Sequence, residues 1–536
     1  MHRRSPIAIA SAFGLLVTSY GLMLIPYLTS YLDDPFIAFR YARHLAGGMG
    51  AVWNLGEQPV EGYTSTLWML IAAGFEYSRI HPFLGTKCIG ILSMVVALWT
   101  VVSGYREVIP QLSDRVFLGL LFVISQDVAF YSASGMENIL FIPLVLVYWR
   151  IILRSEETDS RRVPAVHLAV VGSLLCWVRP EGHFFLVLGL WYAWSRGRTL
   201  GTWRTETAQY LVVCAALVAS LHIARYLYYG DVLPNTYYAK HSGGTLTDSA
   251  LSGILYTGYA FPAYTPFVML SVLYLLREDH RTWPKIMLAT IPAWFLYVLK
   301  VGGDDGSAFP YARLFLPMIP SIFLASVLAI RKLTAGTLAR TATLTSLILL
   351  FGSSQFGTFV NSVRHAFGFT NMSSDHARTV ASRVTEFYHR FSEGKIDPSG
   401  LSSFLKSHTP ESEFIAIPWV GGIAYETDLP VIDLLGLNDR HIAHTRKRER
   451  GTDVKYDPDY ILQRMPFYIC ENFSLSHFTM AEISQMTQSD YYRHGAWRTG
   501  QRALLGHPAL HANYEVEAGL PDVGDITCFK RKSVSQ

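Results

Sequence analysis

Long apolar runs separated by short polar loops fill the first two thirds of the chain. A helix needs about 20 mostly apolar residues to cross the hydrocarbon core of a bilayer. Runs near that length centre on 6–29, 84–103, 116–132, 137–153, 164–178, 182–196, 207–228, 251–276, 284–300, 311–330 and 340–358. The pattern predicts a polytopic α-helical membrane protein with about eleven spanning helices.

Basic residues predict the orientation of these spans. Polar loops rich in Lys and Arg follow residues 153, 194, 275 and 330, and the chain starts with a basic "HRR" segment after Met. Cytoplasmic loops carry such an excess, so we predict that all five segments are cytoplasmic. That is consistent only if the further apolar stretch 64–80 does not cross, and we predict a helix lying at the outer interface there. The first run, which lacks a small-residue cleavage site, is expected to be a retained span, and the C-terminus is expected outside.

Composition agrees with a membrane protein. Of the 536 residues, 50% are hydrophobic and 16% are charged, and the mean hydropathy is +0.24. These values exclude an ordinary soluble enzyme. The net charge of +4 is small and indicates no nucleic-acid partner.

The composition becomes that of an ordinary globular protein after residue 360. The stretch "EFIAIPWVGGIAYETDLPVIDLLGLND" alternates short apolar runs with a glycine turn and a helix-length segment, which is typical of an α/β domain. We therefore predict a transmembrane domain over 1–359 and an extracytoplasmic α/β domain over 360–536. Cys470 and Cys528 lie in the second domain and would be able to pair in an oxidising space, or would stay free.

Two adjacent acids, Asp33 and Asp34, open the predicted first outer loop, residues 30–83. Pro35 suits the first position of a helix and Asp34 suits the N-cap before it. Asp33 is then left without a structural role. A carboxylate at the rim of a cavity can accept a proton from a hydroxyl nucleophile, which makes Asp33 a candidate general base.

The helix predicted after these acids carries Arg40 and Arg43, three residues apart and on one face with Phe36. Two guanidinium groups beside an apolar strip suit a phosphate attached to a lipid. Anchoring to lipid headgroups is the alternative interpretation.

Two further outer loops carry charges at the ends of spans. "SGMEN" places Glu137 at the start of a span, where the helix dipole alone would favour an acid. "RPEG" places Arg179 and Glu181 in a very short hairpin. We expect these two side chains to face a polar cavity, with Arg179 snorkelling to the interface as the alternative.

The remaining outer loops offer aromatic and charged groups. "PNTYYAKH" contains Tyr237 and Tyr238, which can stack on a sugar, followed by Lys240 and His241 as candidate phosphate or substrate ligands. All the outer clusters are expected on one side of the membrane.

"GGDDGSAFPYAR" contains Asp304, Asp305 and Arg313. The aspartate pair would be able to contribute to a divalent-cation site, but two carboxylates are too few to predict one. We therefore expect no metal and no other cofactor.

Seven motifs in order carry a resemblance to a known family, over about residues 30–470: "DDPFIAFRYAR", "WNLGE" with "VEGYTSTLW", "SGMEN", "RPEG", "PNTYYAK", "GGDDGSAFPYARLFLPMIP" and "VIDLLGLND". Together they resemble GT-C glycosyltransferases of the subgroup that contains the bacterial cell-wall arabinofuranosyltransferases. Pro35 is a departure, because smaller residues are commoner there in that subgroup.

The resemblance implies a GT-C fold in the bacterial cytoplasmic membrane. It also implies transfer of a sugar, arabinofuranose by family, from a polyprenyl-phosphate donor to a glycan, lipid-glycan or surface-protein acceptor, with inversion. By motif position Asp33 would be the general base, with Asp34 as the alternative. Arg40, Arg43, Arg179, Lys240 and Arg313 would hold the lipid phosphate.

Two other classes of function remain open at this point. A transporter or lipid flippase would place ionisable residues near the bilayer midplane and often shows duplicated halves, whereas this chain has its charges at one rim and no evident repeat. A membrane assembly factor that kept the fold without the activity is the second alternative.

Overall fold

A computed structural model of the protein describes most of the 536-residue chain. Outside the described part lie residues 1–5, 158–163, 242–245, 278–280, 305–311, 335, 368–399, 446–454, 497–498, 522–524 and 534–536. The chain forms two compact units. Unit 1 comprises residues 1–31, 84–222 and 246–385, and unit 2 comprises residues 32–83, 223–245 and 386–536.

Most of the apolar runs form long helices. Within the described residues, six helical segments are long and apolar enough to cross a membrane. They are Pro6–Tyr27, Pro82–Gly104, Glu137–Glu157, Trp203–Tyr229, Thr282–Val301 and Thr337–Val363. The protein is therefore a multi-pass membrane protein, as predicted.

Two predicted spans are broken helices. Leu112–Ile124 meets Gln126–Ala133 at 63°, and the segments Ser249–Ala260 and Pro262–Leu275 meet at 65°. The second break coincides with a proline, which cannot supply the amide hydrogen that a continuous helix needs. Counting each bent pair as one span gives up to eight spans within the described residues.

The other predicted spans, at 164–178, 182–196 and 311–330, correspond to the helices Ala165–Val178, His183–Leu200 and Ile319–Leu333. None of these three helices is both long enough and apolar enough to be counted with the six spans above. The count of eleven spans therefore stays a prediction. The predicted domain boundary at residue 359 lies inside the helix Thr337–Phe367 and also stays a prediction.

The stretch 64–80 forms the helix Thr66–Tyr77. It starts where the side chain of Ser65 accepts a hydrogen bond from the amide of Trp68, which is a standard N-cap. Its 12 residues rise only about 18 Å at 1.5 Å per residue, too little to cross the bilayer. Its place at the outer interface stays a prediction.

The C-terminal region contains one mixed five-stranded sheet. Its strands are β1 (Ile415–Ile417), β2 (Val431–Asp433), β3 (Tyr468–Glu471), β4 (Tyr514–Val516) and β5 (Thr527–Arg531), in the order β2-β1-β3-β5-β4. β1 pairs in parallel with β2 and β3, whereas β5 is antiparallel to β3 and β4. The predicted α/β architecture is confirmed.

Short helices surround this sheet. They are Leu401–His408, Gly422–Thr427, Arg440–His444, Pro458–Gln463, Met480–Gln485, Gln488–Arg493, Thr499–Leu505 and Pro508–Asn513. Fully buried Ile432, Ile469 and Phe529 from the strands form a core with side chains from these helices. Cys470 and Cys528 face each other on β3 and β5 and form a disulfide.

Candidate functional site

The two acids of the predicted first outer loop lie at the start of a helix in unit 2. The helix spans Asp34–Ala46, so Asp34 is its first residue and Asp33 occupies the N-cap position. The predicted N-cap at Asp34 is thus one residue late, and the Asp33 side chain makes no capping bond to this helix. Both acids are half-buried.

Asp33 instead binds a loop almost 400 residues away in the sequence. Its two carboxylate oxygens accept hydrogen bonds from the amides of Gly421 (2.9 Å) and Gly422 (2.7 Å). A Cβ atom at Gly421 would lie 1.9 Å from the Asp33 carbonyl oxygen, so only glycine permits this approach. The expectation that Asp33 lacks a structural role is wrong. Two amide donors also stabilise the charged carboxylate, the form that a base requires.

Arg40 is buried and fully engaged with backbone. Its guanidinium donates to the carbonyls of Trp53 (2.9 Å), Ala424 (2.5 Å) and Leu429 (2.7 Å) and lies over the Trp53 ring. Burial lowers the pKa of Arg40 to about 10, while nearby Asp428 opposes this shift. Arg40 remains charged at neutral pH and connects the helix Asp34–Ala46 to the segment around residues 424–429. This geometry does not favour its predicted role as a phosphate ligand.

Arg43 is more accessible, with 32% of its side chain exposed. It donates to the carbonyl of Tyr425 (2.6 Å), lies over the Tyr425 ring and approaches a carboxylate oxygen of Glu76 at 3.7 Å. The Tyr425 hydroxyl donates to the same Glu76 carboxylate. The exposed part of this guanidinium can contact a ligand without breaking the network.

The helix Asn235–His241 carries the predicted aromatic pair. Tyr237 is exposed, whereas the Tyr238 hydroxyl donates to Asp231 (2.6 Å) and its ring lies 4.3 Å from that of His444. Lys240 is exposed. The side chain of His241 lies outside the described part of the structure.

A small cleft of about 20 Å³, room for about one water molecule, opens within unit 2. It is lined by Pro59, Val60, Glu61, Tyr229, Asp231, Leu233, Asn235 and Arg440. Two of the motifs, "VEGYTS" and "PNTYY", and the end of "VIDLLGLNDR" thus meet at one cavity. No local pattern in the sequence pointed to a pocket here, because its walls come from three distant segments.

Glu61 in this cavity pairs with a buried arginine. Its carboxylate accepts from Arg225 at 2.5 and 3.1 Å, and the two side chains are only 3% and 6% exposed. Burial raises the pKa of Glu61 despite Arg225, and the charge of Asp231 raises it further. Asp231 therefore lies close enough to Glu61 to interact with it electrostatically.

Unit 1 brings together the "SGMEN" and "RPEG" motifs. Arg179 donates to Glu137 (2.6 Å) and binds the carboxylate of Glu181 through two nitrogens (3.1 and 2.9 Å). The Tyr297 hydroxyl also donates to Glu181 (2.6 Å). Arg179 is 12% exposed, so these side chains form a largely buried polar cluster, and the cavity that they are expected to face stays a prediction.

Arg313 and Asp304 form a second buried pair in unit 1. Two nitrogens of Arg313 lie 2.6 and 2.7 Å from the two carboxylate oxygens of Asp304. Asp305, the other half of the predicted aspartate pair, lies outside the described residues. Within the described part of the chain, no group of three or more His, Cys, Asp or Glu side chains is arranged to hold a metal ion. The expectation of no metal stays a prediction.

Sequence reasoning missed two buried ionisable residues of unit 1. Asp127 accepts hydrogen bonds from the Tyr264 hydroxyl and from the Ala312 amide (2.6 Å). Lys87, only 3% exposed, donates to the carbonyl of Leu28 (2.8 Å). Both lie in segments predicted as spans, where an ionisable residue is by itself a signal of function.

Three comparisons place these findings among known proteins. A family described as a domain of unknown function (DUF8728) matches residues 388–520. The chain is 27% identical over 272 residues to a terminal β-(1→2)-arabinofuranosyltransferase of Mycobacterium tuberculosis, covering 48% of this chain and 42% of the relative. It is 26% identical over 426 residues to a protein of the same description from Corynebacterium glutamicum, covering 64% and 56%. The chain spans about half the length of these curated relatives.

A solved structure is similar in fold. The crystal structure of ArnT from Cupriavidus metallidurans bound to undecaprenyl phosphate matches with a TM-score of 0.53 and 11% identity, covering 87% of this chain and 93% of that chain. This likeness confirms the predicted GT-C fold. The sequence relatives confirm the resemblance to membrane arabinofuranosyltransferases.

Proposed function

We propose that this protein is a membrane glycosyltransferase that transfers a sugar, arabinofuranose by its relatives, from a polyprenyl-phosphate donor to an acceptor hydroxyl. The observation that carries this proposal is the sequence similarity to two terminal arabinofuranosyltransferases, over 272 and 426 residues. The ArnT structure that shares the fold holds undecaprenyl phosphate, which supports a donor of that chemical class.

The donor phosphate requires cations beside an apolar entrance. Arg43 and Lys240 are accessible, and we assign contact with the phosphate to them. Arg179 and Arg313 are already bound to the carboxylates of Glu181 and Asp304. We therefore assign to them the positioning of these carboxylates and not contact with the phosphate.

The reaction is a single displacement in this proposal. The acceptor oxygen attacks the anomeric carbon of the donor sugar while Asp33 takes the hydroxyl proton, and the bond from that carbon to the phosphate oxygen breaks. Polyprenyl phosphate leaves with the bonding electrons, and the anomeric centre inverts. Such a general base contributes about 10²–10⁴-fold to the rate, and fixed cations stabilise the departing phosphate.

We propose that the C-terminal region faces the outer side of the bacterial cytoplasmic membrane and the N-terminus the cytoplasm. The disulfide between Cys470 and Cys528 supports this orientation, because disulfides persist in oxidising compartments. The protein would then bind its acceptor, which is a glycan, lipid-glycan or surface protein, on the outer side of this membrane.

Paired variants of the two acids test the proposal. We expect Asp33→Asn to lower kcat at least 100-fold, and Asp34→Asn to lower it less than 10-fold. Transfer is measured with radiolabelled polyprenyl-phosphate arabinofuranose and an arabinofuranosyl oligosaccharide, using purified protein in detergent.

Because Asp33 also holds two amides, each variant must first be shown to elute as a monodisperse peak and to keep its Cys470–Cys528 disulfide. Full activity of a folded Asp33→Asn protein would remove Asp33 from the mechanism. Loss confined to Asp34→Asn would move the base to that residue. A wild-type protein that transfers nothing from any polyprenyl-phosphate sugar would overturn the proposed function.

A further inference from the structure

Two arginines of unit 1 approach a single buried carboxylate. Arg331 lies in the last turn of the helix Ile319–Leu333, and Arg340 lies near the start of the helix Thr337–Phe367. Between them they bound the basic segment after residue 330 that is predicted to be cytoplasmic. Both approach Asp114, whose side chain is 1% exposed, while the arginine side chains are 24% and 15% exposed. These three residues are called the Asp114 cluster below, and its cations are accessible from outside.

The carboxylate of Asp114 does not saturate the two guanidinium groups. Its Oδ2 atom lies 3.3 Å from Arg331 Nε and 3.5 Å from Arg340 Nη1, farther than the roughly 2.7–2.9 Å of a charge-assisted hydrogen bond. Both arginines are held in place by other acceptors, the Val108 carbonyl (2.7 Å) and the Gln111 side chain. Their Nε atoms are buried and donate no hydrogen bond to any residue that the structure describes. Buried donors of this kind indicate an acceptor that the protein itself does not supply.

The Asp114 cluster has a positive net charge, because one carboxylate faces two guanidinium groups. Lys332, which is exposed, adds a further positive charge beside Arg331 in the sequence. Glu157 also interacts electrostatically with Arg331, but this carboxylate is bound by Arg281 at 2.6 Å. The cluster therefore attracts an anion.

Exposed apolar side chains flank the two arginines in the sequence. Leu333 is 45% exposed and Leu338 is 85% exposed. The span Thr337–Val363, which contains Leu338, leaves most of its residues exposed. The end of a spanning helix lies at the depth of the lipid headgroups, so these cations and leucines suit an amphiphile with an anionic head. A small soluble anion would have no use for the leucines.

We propose that the Asp114 cluster binds the phosphate of an anionic phospholipid headgroup in the cytoplasmic leaflet. Arg331 and Arg340 donate hydrogen bonds to the phosphate oxygens, and Leu333 and Leu338 contact the acyl chains. Guanidinium groups bind phosphate through two parallel hydrogen bonds, and basic pockets between spanning helices on the cytoplasmic side bind such headgroups. This site is separate from the proposed transfer reaction and does not depend on it.

Native mass spectrometry of the full-length protein tests the site. Wild type released from micelles with equal amounts of phosphatidylglycerol and phosphatidylcholine should retain phosphatidylglycerol preferentially. The triple variant Asp114→Asn, Arg331→Gln and Arg340→Gln leaves no buried charge of the cluster unpaired. We expect it to retain about 10-fold less phosphatidylglycerol or lower still, the effect of losing hydrogen bonds to charged groups.

Arg198→Gln is the matched control. Arg198 is exposed in another predicted cytoplasmic loop, where its guanidinium lies over the Trp194 ring, and its replacement changes the net charge by the same amount as the triple variant. The control should retain phosphatidylglycerol as wild type does. Equal retention by wild type and the triple variant, or an equal loss in the control, would overturn the site.

The single variant Asp114→Asn separates lipid binding from a purely structural role. Without the carboxylate, both guanidinium groups are available to the phosphate, so a monodisperse Asp114→Asn protein should retain more phosphatidylglycerol than wild type. A cluster that only stabilises the fold would show no such gain, and that result would contradict the proposal. Excess inorganic phosphate should leave the lipid bound. Displacement of phosphatidylglycerol by inorganic phosphate would overturn the assignment to a lipid.

Discussion

The buried pair of Glu61 and Arg225 provides a sharp test of the structure of unit 2. Both oxygens of the carboxylate are bound by the guanidinium, and both side chains are almost completely removed from solvent. Replacing Arg225 by Met would leave an unpaired carboxylate in a site of low polarity. Breaking a buried pair in this way costs about 3–5 kcal/mol.

The expected change is large enough to measure by thermal unfolding. For a unit of this size each kcal/mol lowers Tm by about 2–4 °C, so Arg225→Met should lower the apparent Tm by about 10 °C. Purified protein in detergent, heated and then analysed by fluorescence-detected size exclusion, supplies the measurement. The half-exposed pair of Arg464 and Glu57 gives the matched control, since Arg464→Met should cost about 1 kcal/mol or less.

The sign of the pH dependence follows from the same pair. Burial already raises the pKa of Glu61 while Arg225 lowers it, so removing Arg225 raises that pKa further. The loss of stability in Arg225→Met is then fully present at high pH, and it becomes smaller as the pH falls through the folded-state pKa of Glu61. We also expect the double variant Glu61→Leu with Arg225→Met to recover most of the stability, because no charge is left unpaired. A Tm for Arg225→Met no lower than that of the control, or a double variant as unstable as the single one, would refute this reasoning.

Two further outcomes follow from unit 2. Replacing Cys470 and Cys528 together by Ser should lower stability by about 2–5 kcal/mol, seen as a lower Tm that the reductant dithiothreitol reproduces in wild type and leaves unchanged in the variant. Burial raises the pKa of Asp433 from 3.8 to about 6, against hydrogen bonds from Asn438 and Leu435. The folded state therefore holds this proton more tightly, so the contribution of Asp433 to stability falls as pH rises from about 4 to 6. Relative to Asp433→Asn, wild type should gain about 1 kcal/mol between pH 7 and pH 5, and an unchanged difference in unfolding free energy would contradict the assignment.

The arrangement of helices was largely predictable from the sequence, because apolar runs must leave water whatever their neighbours are. The bends after Ile124 and after Ala260 were not predicted. Hydropathy is averaged over a window and is insensitive to one interrupted hydrogen bond. An α/β domain was expected from the stretch "EFIAIPWVGGIAYETDLPVIDLLGLND", which contains β1 and β2, but the strand order depends on the distant β5, to which no local pattern points.

The candidate site was predictable in its residues and less so in their partners. The motif around Arg179 suggested side chains that face a polar cavity, and the structure shows that Arg179 pairs with Glu137 and Glu181. For Asp33 and Arg40 the local pattern suggested free groups facing a ligand. The glycine amides that bind Asp33 and two of the carbonyls that bind Arg40 lie more than 380 residues away in sequence, beyond the reach of any pattern of periodicity or spacing.

The contacts of Arg40 have a consequence for biogenesis. During synthesis Arg40 emerges hundreds of residues before the carbonyls of Ala424 and Leu429, so its guanidinium cannot make these two hydrogen bonds until the last quarter of the polypeptide has left the ribosome. A chain that stops before residue 421 lacks these two carbonyls and the two amides that bind the Asp33 carboxylate. The contacts that fix Asp33 and Arg40 therefore form only after the C-terminal region has been synthesised.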